Sequence, residues 1–135
     1  AFFIPLIAAM GGNVGIQSSS IVVQAIASNS LSIESTLMKI LKELMVALLN
    51  ALACSAIIFL YNFFFSDSLA LSVSVSVALF LVIIFASIFG TLVPLTLHKY
   101  KIDPAVATGP FITTANDIIG LLIYLAIGAM IFTLI

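Results

Sequence analysis

The stretch AVATGPFITTANDIIGLLIYLAIGAMIFTLI, residues 105–135, decides the fold. It is long and apolar enough to cross a bilayer, which takes about 20 residues of helix, and its only charge is Asp117. An acid at the bilayer centre costs about 2.5–3.5 kcal/mol on insertion scales, so such a residue faces a bundle interior or a water-filled path and does a job there. Asp117 therefore reads as a residue of a cation pathway.

Working outward, hydropathy divides the 135 residues into four spans, 2–27, 44–65, 69–97 and 105–134. The chain is 64% hydrophobic and 7% charged, which excludes an ordinary soluble domain. The fold class is all-α, a polytopic transmembrane helix bundle forming a single domain. Ser72-Val73-Ser74-Val75-Ser76-Val77 alternates like a strand. An isolated strand in lipid leaves its backbone unpaired, so helix overrules the period-2 signal.

The ionisable residues are Glu34, Lys39, Lys42, Glu43, Asp67, His98, Lys99, Lys101, Asp103 and Asp117. All but Asp117 are expected in or beside the connections 28–43, 66–68 and 98–104. The four lysines lie in the first and third connections, which four crossings place on one side, and the positive-inside rule makes that side cytoplasmic. A net charge of −1 and the lack of arginine exclude a nucleic-acid phosphate binder. Cys54, the only cysteine, permits no internal disulfide or zinc cluster and reads as a small buried hydrophobe. The opening at Ala1, in an apolar run without basic residues, does not fit a secretory leader; a longer protein with a further upstream span is the expectation. Within 28–43, Ser32, Glu34 and Ser35 offer N-cap chemistry, and Leu37, Ile40, Leu41 and Leu44 fall at helical spacing. An interfacial helix leading into span two is expected there, and Gly90 and Pro94 are expected to bend or loosen span three.

In the first span, Asn13, Gln17, Ser20 and Gln24 fall on one helix face and require protein or water opposite them. Gly11 with Gly15, and Ala8 with Gly12, are small-xxx-small pairs. They serve a helix-packing seam or a pore lining, and the sequence leaves both open. In the last span, Pro110, Thr113, Thr114, Gly120, Leu121 and Tyr124 share a face with Asp117, and Asn116 adjoins it. Pro110 with Gly109 marks a place where backbone oxygen can face an ion, and Asp117 lies about 18 Å along a helix counted from residue 105, near the midplane.

Carboxylate, amide, hydroxyl and carbonyl oxygens favour Mg²⁺, Ca²⁺ or Mn²⁺ over zinc or copper. A two-fold dimer with its pore on the axis brings two copies of Asp117 face to face. A proton relay lacks a second buried titratable group. An intramembrane enzyme lacks a buried His or a nucleophile–base pair to work with Asp117. Cation-coupled metal exchange stays open, as does a structural membrane subunit in which Asp117 is assembly glue bonded to Asn13 or Thr113.

Two segments carry a resemblance to a known family. Pro5-Leu6-Ile7-Ala8-Ala9-Met10-Gly11-Gly12-Asn13-Val14-Gly15-Ile16-Gln17-Ser18 is similar to the second membrane helix of MgtE-type magnesium transporters, and Asp103 through Gly120 resembles the start and core of their fifth. The resemblance implies a homodimer with five membrane helices per subunit, of which this chain has helices two to five, and a central pore lined by the second and fifth. It implies that Asp117 and the backbone carbonyl of Thr113 hold hydrated Mg²⁺, with Gly11, Gly12, Asn13, Gln17, Gly109, Pro110, Thr114 and Asn116 lining the path. Gln24 stands where many members carry arginine. The implied location is the plasma (inner) membrane, and members often carry a cytoplasmic regulatory region.

Overall fold

The computed structural model describes residues 2–28, 33–107 and 109–134, with side chains described for all of these except 33–37 and 107. Four helices account for most of it: α1 (Ile4–Ala27), α2 (Ile33–Phe65), α3 (Leu69–Lys99) and α4 (Pro110–Leu134), with a 3-10 turn at Pro104–Ala107. All four are long and apolar enough to cross a membrane, α2 by its residues Met38–Phe65.

Local chemistry explains the ends. Pro5 sits in the first turn of α1, where a missing N–H costs nothing. The Ser68 hydroxyl caps α3 by accepting the Leu71 N–H at 3.2 Å, and His98 and Lys99 lie at its carbonyl-rich end. Gly109 turns the chain into α4 with φ +71°, a conformation that suits glycine. Its carbonyl accepts both the N–H and the hydroxyl of Thr113, each at 3.1 Å.

The helix expected to lead into span two is present and continuous with it: α2 runs Ile33–Phe65, and 33 residues make a rod of about 50 Å, longer than the hydrocarbon core alone requires. The N-cap expected at Ser32, Glu34 and Ser35 lies outside the described residues and side chains. The last span does not begin at residue 105: Pro104–Ala107 forms the 3-10 turn, and Pro110 opens α4 instead of interrupting it. A proline at the first helical position removes no hydrogen bond of the helix. Helix α3 continues through Gly90 and Pro94. Gly90 is there for space, since a Cβ on it would strike the carbonyl oxygen of Gly15.

Helix α3 is the centre of the bundle. It packs against α1, α2 and α4, whereas α1 and α2 barely meet. Half of its apolar window is buried, against 6% for α4. Ile7 and Val14 of α1, Ala51 of α2, and Ala78, Leu79, Val82, Ile83 and Ala86 of α3 form the core. Lipid tails are as apolar as these side chains, so close van der Waals packing holds the bundle, which is why small residues crowd the seams. The Ser-Val alternation is helical. Ser72, Ser74 and Ser76 are buried, and their hydroxyls donate to the carbonyls of Ser68, Ala70 and Ser72 at 3.2, 2.6 and 2.7 Å. Cys54 is half-buried rather than fully enclosed, with its thiol 3.3 Å from Asn50 Oδ1.

Candidate cation pathway

Asp117 lies on α4 against α1. Its half-buried side chain borders a cavity of about 170 Å³ walled by Ile4, Ile7 and Ala8 of α1 and by Leu121 and Tyr124 of α4. That volume holds several water molecules. Gly12 makes the approach possible: a Cβ there would sit 3.3 Å from Thr113 Cγ2 and 3.8 Å from Asp117 Oδ1. The structure thus brings Gly12, Thr113 and Asp117 together, with the backbone carbonyl of Thr113 one turn before the acid.

The depth of this contact follows from the helix lengths. Gly12 falls about a third of the way along α1, fifteen residues, or about 22 Å, before Ala27, whereas Asp117 is only seven residues, or about 10 Å, past Pro110. The start of α4 is therefore recessed by about 12 Å relative to the end of α1. The 3-10 turn fills part of this depth, packed on α3, α1 and α4. Irregular backbone at that level is tolerated where it is enclosed by protein or lines a watery cavity.

The remaining lining candidates divide. Asn13, Gln17 and Gln24 are exposed and Ser20 is half-buried, so the polar stripe of α1 points away from the interior of the chain. Pro110 and Thr114 are also exposed, bordering an open groove on α4 with Phe111, Ala115 and Ile118. Gly109 is half-buried in the turn. Gly11 and Asn116 lie inside the subunit: a Cβ on Gly11 would come within 3.0 Å of Val82 Cγ1, and Asn116 is 1% exposed. The Asn116 amide rests over Gly15, at the crossing where Gly15 also meets Gly90. The Gly11 and Gly15 pair is a packing seam, and the Asn116 side chain takes part in that seam.

Neither amide atom of Asn116 has a hydrogen-bond partner among the described residues. Burying such a group without compensation costs about 1–3 kcal/mol. Asn116→Leu, close in size and without the unmet polar atoms, is expected to leave the thermal unfolding midpoint in detergent unchanged or raised. A clear drop would show that the amide has a stabilising partner.

A buried acid on α2 was not anticipated. Glu43, expected beside a connection, is 7% exposed. The Ser18 hydroxyl of α1 donates to its Oε1 at 2.8 Å, and the Ser87 hydroxyl of α3 is 3.2 Å from that of Ser18. Since Ser18 has one proton to give, Ser87 is the donor in the second contact, making a chain from α3 through α1 to the carboxylate. Hydrogen bonds to a charged group contribute about 1.5–3 kcal/mol. The missed signal was spacing: Glu43, Ala47 and Ala51 recur every four residues, so the acid heads the small-residue stripe that faces α3.

Among the described residues no three of His, Cys, Asp or Glu gather as a metal-binding group. The chain thus offers one carboxylate, Asp117, beside the α1–α4 cavity. Asp117 has no side-chain hydrogen bond to Asn13 or Thr113, whose hydroxyl is given to Gly109.

The sequence matches the family model described as MgtE, divalent cation transporter, over residues 4–127. The chain belongs to the MgtE family. Curated relatives agree: it is 36% identical over 128 residues to the magnesium transporter MgtE of Bacillus subtilis, covering 95% of this chain and 28% of that protein. Against the magnesium transporters MgtE of Thermus thermophilus and Enterococcus faecalis it is 33% identical over 130 residues, covering 96% of this chain and 29% of each. This MgtE-family chain therefore spans less than a third of the length of those relatives. Membership agrees with the four helices long and apolar enough to cross a membrane.

Proposed function

We propose that this chain forms the conducting part of a Mg²⁺ transporter in which two copies enclose a path lined by α1 and α4. The carrying observation is Asp117, half-buried against Gly12 and beside a cavity large enough for water. The polar stripe of α1 and the exposed Thr114 supply a second support. In lipid that stripe is penalised, so a second copy and a watery path between the two would satisfy it.

In this arrangement the two Asp117 carboxylates contribute up to two negative charges on the axis, matching a divalent ion. Mg²⁺ gives up its waters reluctantly, so it passes largely hydrated, held through water by the carboxylates and the Thr113 carbonyls. The recessed start of α4 shortens the remaining route on the lysine-bearing side, which the positive-inside rule makes cytoplasmic, in a plasma membrane. For a divalent ion, 100 mV contributes about 4.6 kcal/mol toward entry, so channel-like flow needs no other energy source. Mn²⁺ and Ca²⁺ meet the same hard-oxygen set and differ in size and readiness to shed water.

The test is Mg²⁺ entry into liposomes bearing the full-length protein, comparing wild type with Asp117→Asn and Asp117→Ala. Lost flux with retained assembly supports the pore; lost assembly supports a structural acid. Asn13→Leu should lower entry about three- to tenfold, the effect of losing one water-mediated hydrogen bond of about 1 kcal/mol in the path. Wild-type entry in that variant would remove Asn13 from the lining.

A further inference from the structure

We infer that Glu43 is a positioning residue for transport, fastening the lysine-bearing end of α2 to the pore helix α1 through Ser18. This rests on the transport reading of α1 given above. Helices α1 and α2 share hardly any packing, since α3 stands between them along most of their length. What joins them is polar and buried: Ser18 and Ser87 are fully enclosed, Glu43 is nearly so, and the 2.8 Å bond from Ser18 ends on the carboxylate. Around it, Ile21, Val22 and Ala25 of α1, Lys39 and Ile40 of α2 and Thr91 of α3 line a space of about 10 Å³, room for one water at most.

The position of this junction gives it leverage. Ser18 is six residues after Gly12 on the same helix, so its bond fixes α1 about 9 Å from the level of Asp117. Gly15 and Gly90 hold α1 against α3 between those two levels. Glu43 adds a side-chain bond from α2, the helix that enters from the connection after α1. A displacement of the start of α2 is thereby passed to α1 through a short, directional bond, where apolar packing would let the two helices slide. The geometry also separates this acid from the ion path, because Asp117 contacts α1 at Gly12, on the α4 side.

Two measurements on the full-length protein test this. In liposomes, Mg²⁺ entry is followed as a function of Mg²⁺ concentration for Glu43→Ala, Ser18→Ala, the double variant, and Glu43→Gln, which keeps a carbonyl oxygen for Ser18. Glu43→Ala and Ser18→Ala should each lower maximal entry at least about threefold without moving the half-saturating concentration, and the double variant should be no worse than Glu43→Ala alone. Glu43→Gln should retain more than half of wild-type entry. In parallel, with Cys54→Ala as background, cysteines replacing Ile21 and Ile40 report the α1–α2 junction through the rate of disulfide formation. Ser18→Ala should slow that rate and Glu43→Gln should not.

Additive losses, a shifted half-saturation, or wild-type entry in Ser18→Ala would overturn the assignment. If Glu43→Ala fails to assemble, Ser18→Ala carries the test, because it removes one hydroxyl only. The cross-linking rates do not depend on transport. A normal rate in Ser18→Ala defeats the junction itself, whereas full Mg²⁺ entry in Asp117→Ala defeats the transport reading and leaves the junction standing.

Discussion

Asp117→Ala is expected to lower Mg²⁺ entry by at least about tenfold while the protein assembles normally. A charge-assisted interaction of about 1.5–3 kcal/mol corresponds to roughly ten- to 150-fold, and a two-fold pore loses it twice. Asp117→Asn keeps the shape and the hydrogen-bonding capacity but removes the charge. It should fall between wild type and alanine, nearer alanine, because a divalent ion held through its waters responds chiefly to field. Size-exclusion chromatography in detergent checks assembly, and a fluorescent Mg²⁺ indicator inside liposomes reads entry. Loss of assembly in Asp117→Asn would recast the acid as structural.

Gly90→Ala should be the most damaging small change to the fold. An alanine Cβ would strike the carbonyl oxygen of Gly15, with Gly15 Cα and carbonyl carbon at 3.1 Å, and backbone cannot swing aside as a side chain can. Helices α1 and α3 must separate, opening the seam that holds the core residues Val14, Val82 and Ile83. Overpacking costs about 1–3 kcal/mol and more where backbone is the obstacle, enough to lower the unfolding midpoint by over about 5 °C. Gly128→Ala is the control, since nothing lies within 4 Å of a Cβ there. With no clash, the gain in helix propensity leaves that variant as stable as wild type or slightly more so.

The four crossings were legible because lipid imposes one dominant rule, a run of apolar residues about 30 Å long, and the chain obeys it with few exceptions. The helix starts were less legible for a related reason. Hydropathy cannot tell apolar residues in a helix from apolar residues in a turn, so Pro104–Ala107 blended into the last span. For the site, Asp117 stood out because no other charge lies near it in sequence. Glu43 did not, because Lys39 and Lys42 beside it gave the look of a solvated loop. Only the fold shows that it turns inward, on the Ala47 and Ala51 face. Asn116 illustrates the opposite error: adjacency to Asp117 in sequence is a rotation of about 100° on a helix, enough to carry it from the cavity side to the α1–α3 seam.

The central claim is that Asp117 borders water, and thiol accessibility measures it most directly. With Cys54→Ala as background, Asp117→Cys in liposomes is exposed to a charged, membrane-impermeant thiol reagent and, separately, to a lipid-soluble one. The account predicts modification by the charged reagent, slowed as Mg²⁺ or another small cation is raised. Reaction with the lipid-soluble reagent alone would place residue 117 against lipid and contradict it.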